Sequence, residues 1–534
     1  MAKSSKHVKY MRRWPLQCRL LCGLVIAILL PMPHIAQADA ILTWNNSLLD
    51  AVRQTSALLV NGPPEVAREI AMVGVAMYDA VDAATGLTYR PYAYTGNAVS
   101  GVSADAAALS AGYHVMNSVF SSPLWEMAPP AGSPTIIAKV LNNINNTYAT
   151  GLAGFDLSDP AVVNGLALGA TAAQAIIANR SNDGSTAAII NGLTPYTPPG
   201  SGTTPGVYVP LSASGGRPAM FPQWGSVVPF GTAPDVLLAF ENQLPTVQAI
   251  DKVGFTSFIS SPEYALQILQ TECSGSAVPL SETTALTCQE AGFAPATPAQ
   301  TTAALFWNDP GGTMQPPGHW LQIANTLMTQ AGTELSELQE ARLSALLGMA
   351  ETDAGIAAWD VKYKENLWRP ITAIHDCSDW NSQFTTCDLT WSSLIATPPH
   401  PDYVAGHPTF SNAAAAVLAS FYGTDDIAFC STSDPYINGN QGFVGPLSEC
   451  FDSFSDASSG PLGAAFSRVT GGIHTPFAVQ DGLQLGDLIG AEVFENNLQP
   501  VREPATALLL APCLAILPML RRSPRPAGRG VGST

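Results

Sequence analysis

Apolar residues recurring at spacings of three and four constrain this chain more than any other feature. Val66, Ile70, Val73, Met77 and Val81 share one side of a 3.6-residue helix, and Gly86 follows as a stop. Alanine-rich stretches near 103–119, 134–149 and 160–180 predict more helices. Helical spacing resumes at 235–250, 261–272, 298–307, 318–331, 333–366, 408–421 and 476–494. Strand-like alternation is sparse, and no internal repeat is present. The predicted fold class is all-α, with helical bundles joined by long irregular connections. The longest irregular stretch, 194–230, carries Thr-Pro-Pro-Gly-Ser-Gly-Thr-Thr-Pro-Gly at 197–206. Tyr208, Phe221, Trp224 and Phe230 are expected to pack this crossover down, so it does not read as a flexible linker.

With 46% apolar and only 12% charged residues, the chain is not disordered, and its 534 residues exceed one small domain. A net charge of −18 argues against nucleic acid, which requires a basic surface. The imbalance is sharper inside the chain. Residues 1–38 hold six Lys or Arg and residues 505–534 hold four, with no acid in either. The body between them keeps 13 cations against all 41 acids. Any cluster of Lys and Arg within it requires an explanation.

Both ends read as addresses. Lys3, Lys6, Lys9, Arg12, Arg13 and Arg19 precede an apolar run from Leu20 to Leu30 and then Ala36-Gln37-Ala38. That pattern is expected of a signal peptide over 1–38, cut by signal peptidase near Asp39. At the other end, Val501-Arg502-Glu503-Pro504, an apolar run from Ala505 to Leu520, and Arg521-Arg522 resemble the PEP-CTERM sorting signal over 501–534. The resemblance implies an exosortase-like partner and an exported, periplasmic, cell-surface or extracellular location, with transient anchoring in the inner membrane by the C-terminal helix. Arg502 departs from the usual Pro of that signal. Between the ends, 39–330 is expected to form an N-terminal helical region containing the crossover, and 331–500 a catalytic helical region. Six body cysteines fall as near neighbours: Cys273 with Cys288, Cys377 with Cys387, and Cys430 with Cys450. Disulfides suit export, and no C-x-x-C pair supports zinc.

Three segments gather chemistry in this cation-poor body. In Trp359-Asp360-Val361-Lys362-Tyr363-Lys364-Glu365-Asn366-Leu367-Trp368-Arg369-Pro370, Lys362 and Arg369 stand seven apart. On a continuous helix that spacing puts both on one face, as an anion site requires, while Lys364 points away to solvent. In His400-Pro401-Asp402-Tyr403-Val404-Ala405-Gly406-His407, Gly406 permits close backbone approach, and the following helix presents an N-terminus that favours anions. In Ser467-Arg468-Val469-Thr470-Gly471-Gly472-Ile473-His474, paired glycines separate a cation from a histidine.

Lys-x6-Arg-Pro, a Gly-His element and Ser-Arg-x3-Gly-x-His, in this order, resemble the signature of the vanadium-dependent haloperoxidases. Type 2 phosphatidic acid phosphatases and bacterial class A acid phosphatases share it. Further likeness runs through Trp44-Asn45, Tyr78-Asp79-Ala80-Val81, Phe306-Trp307 and Pro317-Gly318-His319-Trp320. The resemblance implies a fold built on two four-helix bundles and vanadate as cofactor, with hydrogen peroxide and a halide or small organic molecule as substrates. It assigns Lys362, Arg369 and Arg468 to the equatorial oxygens of vanadate and the Gly406 N–H to another oxygen. His474 becomes the axial vanadium ligand. His407 becomes the acid–base group, with a pKa expected near neutrality.

The departures are specific. Ala405 stands where the family has a Ser donor, Val404 where it has Pro, and Ala478 where many relatives have Asp. The rival activities are phosphomonoester hydrolysis with His474 as nucleophile, and a non-catalytic surface protein that keeps the fold. Among the other histidines, His319, His114 and His375 read as structural or surface residues. His400, Asp402 and His407 do not make a convincing divalent-metal site.

Overall fold

The computed structural model describes residues 39–127, 133–210, 219–376, 387–439 and 442–501. The signal-peptide reading, all but Val501 of the sorting signal, and Cys377 lie outside the described residues. The architecture is helical. Two long helices, Pro63–Thr85 and Glu337–Glu365, lie against each other at its centre. Pro63–Thr85 also packs on Ala104–Phe120, which in turn packs on Pro160–Arg180. On the other side, Glu337–Glu365 packs on Gly406–Tyr422 and Pro476–Asn496. One continuous apolar core joins these helices.

The expected helices appear with small shifts, and two differences have clear causes. The segment 235–250 is two helices, Pro234–Asn242 and Pro245–Val253, because Pro245 cannot continue a helix and instead starts one. The expected helix over 333–366 ends at Glu365, where Asn366 adopts a left-handed conformation (φ 50°) and caps it. The sparse strand signal also concealed a β arm. Phe429–Thr432 pairs antiparallel with Ser448–Phe451, and Tyr436–Asn438 with Gly442–Val444. Cys430 lies opposite Cys450, and a disulfide joins them; a second joins Cys273 to Cys288.

The crossover is pinned as its aromatics predict. Tyr208, Phe221, Trp224 and Phe230 are all buried. Asp353 on the long central helix adds a polar anchor, accepting hydrogen bonds from the N–H groups of Phe230, Gly231 and Thr232. Helix approach near the site depends on a glycine stripe. Gly482, Gly486 and Gly490 recur every four residues on Pro476–Asn496 and lie against Gly406–Tyr422 and the residue before it. A Cβ on Gly486 would stand 2.4 Å from the Thr409 carbonyl oxygen, so only glycine permits this contact.

Glu351, on the central helix, is fully buried, and neither carboxyl oxygen has a hydrogen-bond partner among the described residues. Burial pushes its carboxyl well above the usual range. The folded protein therefore binds a proton that the unfolded chain releases above pH about 4.5. Stability falls by about 1.4 kcal/mol per pH unit between the two pKa values. Glu351→Gln removes that dependence at a fixed amide-burial cost of about 1–3 kcal/mol. Unfolding by denaturant at pH 5.5, 6.5 and 7.5 should show the variant gaining on the parent at each step. Parallel curves would mean that Glu351 titrates normally.

Candidate active site

The three segments meet on one cavity, but Lys362 and Arg369 do not share a helix face. Lys362 sits in the last turn of Glu337–Glu365. Arg369 stands beyond the Asn366 cap, held extended by the following Pro370, and caps the short helix Pro370–His375. The chain reverses between them, where the Trp368 N–H donates to the Gly206 carbonyl and the Trp368 indole to the Tyr264 hydroxyl (2.6 Å). Both side chains then turn towards the loop before Gly406. Lys364 stays outside, paired with Asp360 and Glu241.

All three cations are fully buried. Lys362 donates to the carbonyl oxygens of Pro401 (2.9 Å) and Asp402 (3.1 Å). Arg369 donates to the carbonyls of His400 (2.6 Å) and Ile473 (2.7 Å). Arg468 donates to the Ser467 hydroxyl (2.9 Å) and lies 3.4 Å from His407 Nε2. Among the described residues, none of the three forms an ion pair with a carboxylate. Burial lowers the pKa of Lys362 well below its ordinary value and that of each arginine to about 10. An anion placed among three cations destabilised in this way would offset the cost of their burial.

The histidines have distinct environments. Arg369 Nη1 stands 3.0 Å from His474 Nε2. Guanidinium can only donate, so Nε2 carries the lone pair and Nδ1 the proton. That proton faces Asp402, whose Oδ1 lies 2.7 Å from Nδ1, at an oblique angle that makes the contact chiefly electrostatic. Thr475 fixes the other oxygen of Asp402 at 2.7 Å. Thus the Nε2 lone pair of His474 is directed to the cations, an arrangement that suits a ligand or a nucleophile. Half-buried His407 opens Gly406–Tyr422 beside Arg468, and the backbone carbonyls of Asn308 and Trp307 accept from its ring. Burial and Arg468 hold it well below its ordinary range. This corrects the expected pKa near neutrality: without an anion the ring is neutral, and a bound anion offsets the field that lowers it.

The helix N-terminus completes the cradle. The amides of Gly406 and His407 lie in the first turn, where position denies them helical partners. A Cβ on Gly406 would approach the Trp359 ring to 3.3 Å. Ala405 is the N-cap and has no side chain to cap the helix.

Some features of the site were not legible in advance. In sequence Asp402 is only a metal-site candidate, yet in the fold its carboxylate faces His474 Nδ1. His400 is a third histidine at the site, buried and 2.9 Å from Arg369 Nη2 through Nδ1. Asp309, which carried no sequence signal, lines the same cavity and is held by His319 at 3.0 Å. His319 is structural in that sense, lying between Asp309 and the Ser431 hydroxyl. His375 is bound to the Trp391 carbonyl, and His114 lies on Ala104–Phe120 beside Tyr113. Both stand apart from the cations.

Residues 342–503, which hold the three cations, His400, Asp402, Gly406, His407 and His474, match the sequence model of the VCPO second helical-bundle domain. The chain is 30% identical over 144 residues to the vanadium chloroperoxidase of Curvularia inaequalis, covering 23% of each protein. It is 28% identical over 154 residues to the vanadium-dependent bromoperoxidase of Ascophyllum nodosum, covering 28% of this chain and 27% of the other. These matches span about a quarter of the curated relatives' length. Structural likeness extends further. A bacterial vanadium-dependent iodoperoxidase superposes over 86% of this chain and 97% of its own, with a TM-score of 0.60 and 19% identity. An apo-type bacterial vanadium-dependent chloroperoxidase superposes over 81% and 93%, with a TM-score of 0.53 and 17% identity. The chain has the fold of these vanadium-dependent haloperoxidases, and within it residues 342–503 are similar to the VCPO second helical-bundle domain.

Proposed function

We propose that this protein is a vanadate-dependent haloperoxidase that oxidises halide with hydrogen peroxide. The observation that carries the reading is the gathering of buried Lys362, Arg369 and Arg468, none of them paired with a carboxylate among the described residues: Arg369 contacts His474, Arg468 reaches towards His407, and Lys362 donates to the Pro401 and Asp402 carbonyls of the loop between them. Three cations and a helix N-terminus fit a tetrahedral oxyanion. The lone pair of His474 Nε2 supplies one ligand, with its tautomer fixed by Arg369 and Asp402. Bound vanadate supplies a Lewis-acidic centre that activates hydrogen peroxide. The chain's own part is to hold that charge, to keep His474 in the ligating tautomer, and to take a proton on neutral His407. Export through the N-terminal segment is part of the proposal, and the disulfides Cys273–Cys288 and Cys430–Cys450 support an oxidising destination.

The test is to assay the purified protein with and without orthovanadate, on bromide or iodide with peroxide and on a phosphomonoester. Vanadate-dependent halide oxidation is expected, with phosphate competing for the site. Phosphomonoester hydrolysis that vanadate only inhibits would favour the phosphatase reading.

Ala405→Ser is expected to tighten vanadate binding about ten- to hundredfold, because a hydrogen bond to a charged group contributes about 1.5–3 kcal/mol. Calorimetric titration measures it. An unchanged dissociation constant with a higher melting temperature would mean that the hydroxyl caps its own helix instead.

A further inference from the structure

A second cavity lies apart from the oxyanion site and shares none of its residues. It measures about 190 Å³, room for several water molecules at about 30 Å³ each. Ser118, Ser181 and Thr186 line it and are exposed, which marks its opening to solvent. Its inner lining holds Glu65 and Arg68, from the start of Pro63–Thr85, and Arg180, from the last turn of Pro160–Arg180. The charges there are already one another's partners. Arg68 Nε donates to Asp183 (2.7 Å), and its Nη1 donates to one oxygen of Glu65 (3.3 Å). Arg180 lies 3.3 Å from the same Asp183 oxygen, donates to the carbonyls of Pro229 and Val228, and stacks over Phe230. Glu69, one turn beyond Glu65 and fully buried, adds a third carboxyl group to the cluster. Three acids thus face two guanidinium groups. The unspent atom is Glu65 Oε2: the residue is 6% exposed and lines the cavity, and this oxygen has no hydrogen-bond partner among the described residues. A buried carboxylate oxygen without a donor is costly, so the position calls for one. Met72, Ile177 and Ile189 give the cavity an apolar side, and Trp125 adds a ring. That ring is fixed, since its indole donates to the Val119 carbonyl (2.8 Å) and stacks on Phe120.

We propose that this cavity binds a small organic monocation, a primary ammonium on an apolar body, with the ammonium on Glu65 and the body against Trp125. The excess of acids over guanidinium groups sets the sign of the ligand. Glu65 Oε2 accepts an N–H that the arginines do not supply, and an aromatic wall suits both a cation and its hydrocarbon. Without the ligand, protons make up the missing positive charge: burial raises Glu65 to about 7 and Glu69 well above its ordinary range. The oxyanion cavity has the opposite sign, so the two sites select different molecules. Only the segment leading into Pro63–Thr85 borders both, with Leu59 on the oxyanion cavity and Val60 on the second.

The probe is benzylammonium chloride. Calorimetry on the full chain at pH 8 should show saturable 1:1 binding, and benzyl alcohol, of the same shape without the charge, should bind about tenfold weaker or less. Glu65→Gln keeps the shape of the side chain and removes its charge. It should weaken benzylammonium binding by about tenfold or more while leaving benzyl alcohol nearly unchanged, with the melting temperature as the check on folding. A further measurement needs no variant. As Glu65 ionises around pH 7, the affinity of the parent for benzylammonium should rise about tenfold between pH 6 and pH 8. Excess phosphate should not compete, because it belongs to the oxyanion cavity. Absence of saturable binding, equal affinity for the ammonium and the alcohol, or full binding by a folded Glu65→Gln variant overturns the proposal. So does an affinity that ignores pH, or displacement by phosphate, which would put the probe in the oxyanion cavity.

Discussion

Replacing His474 with alanine is expected to abolish vanadate binding, and with it halide oxidation, and added vanadate should restore little. The buried ring offers one lone pair, at Nε2, to whatever the three cations attract. Its proton is kept on Nδ1 by Asp402, itself fixed by Thr475. Burial, Arg369 and Lys362 hold the ring well below its ordinary pKa, so the neutral, ligating form persists to low pH. Alanine removes the ligand and leaves Lys362, Arg369 and Arg468 to hold the oxyanion by charge alone. Phosphate binding gives the internal control, because phosphate requires the cations but not the ligand. The variant should therefore bind phosphate nearly as the parent does while losing vanadate. Loss of both would point to a collapsed site, and retention of vanadate would show that His474 is not the ligand.

The three-part motif singles out the cations and both histidines, which the fold then brings together, because each element carries residue types that are rare in an acidic, Lys-poor body. The geometry joining them was less legible. Lys362 and Arg369 read as one helix face by spacing, yet Asn366 ends the helix and a chain reversal brings Arg369 back. A left-handed cap on Asn is a local event that helical periodicity does not register. Asp402 was visible as a residue but not as the partner of His474, 72 positions away, because that pairing exists only once the loop folds over Thr475. The glycine stripe at Gly482, Gly486 and Gly490 reads in sequence as a weak helix. In the fold it is what allows Pro476–Asn496 to lie against the helix that opens with Gly406 and His407. The β arm was missed because its strands are three or four residues long, too short for alternation to show.

His407 poses the opposite expectation, because it neighbours the anion site without offering a committed lone pair. Its Nε2 lies 3.4 Å from Arg468 Nη1, long for a hydrogen bond, and its other partners are backbone carbonyls of Trp307 and Asn308. Removing the ring leaves Lys362, Arg369, Arg468 and His474 in place. His407→Ala should therefore hold vanadate within about tenfold of the parent, a change of about 1.4 kcal/mol. Turnover is another matter. Burial and Arg468 keep the imidazole neutral, so it can accept a proton from peroxide, and bound oxyanion offsets the Arg468 field that weakens it as a base. Losing a positioned acid–base group costs about 10²–10⁴ in rate. Stopped-flow halide oxidation at saturating vanadate measures that loss, and calorimetry measures the affinity. The order of the two variants decides the assignment: if His407→Ala loses vanadate while His474→Ala keeps it, ligand and base are exchanged, and the tautomer argument built on Arg369 and Asp402 fails with them.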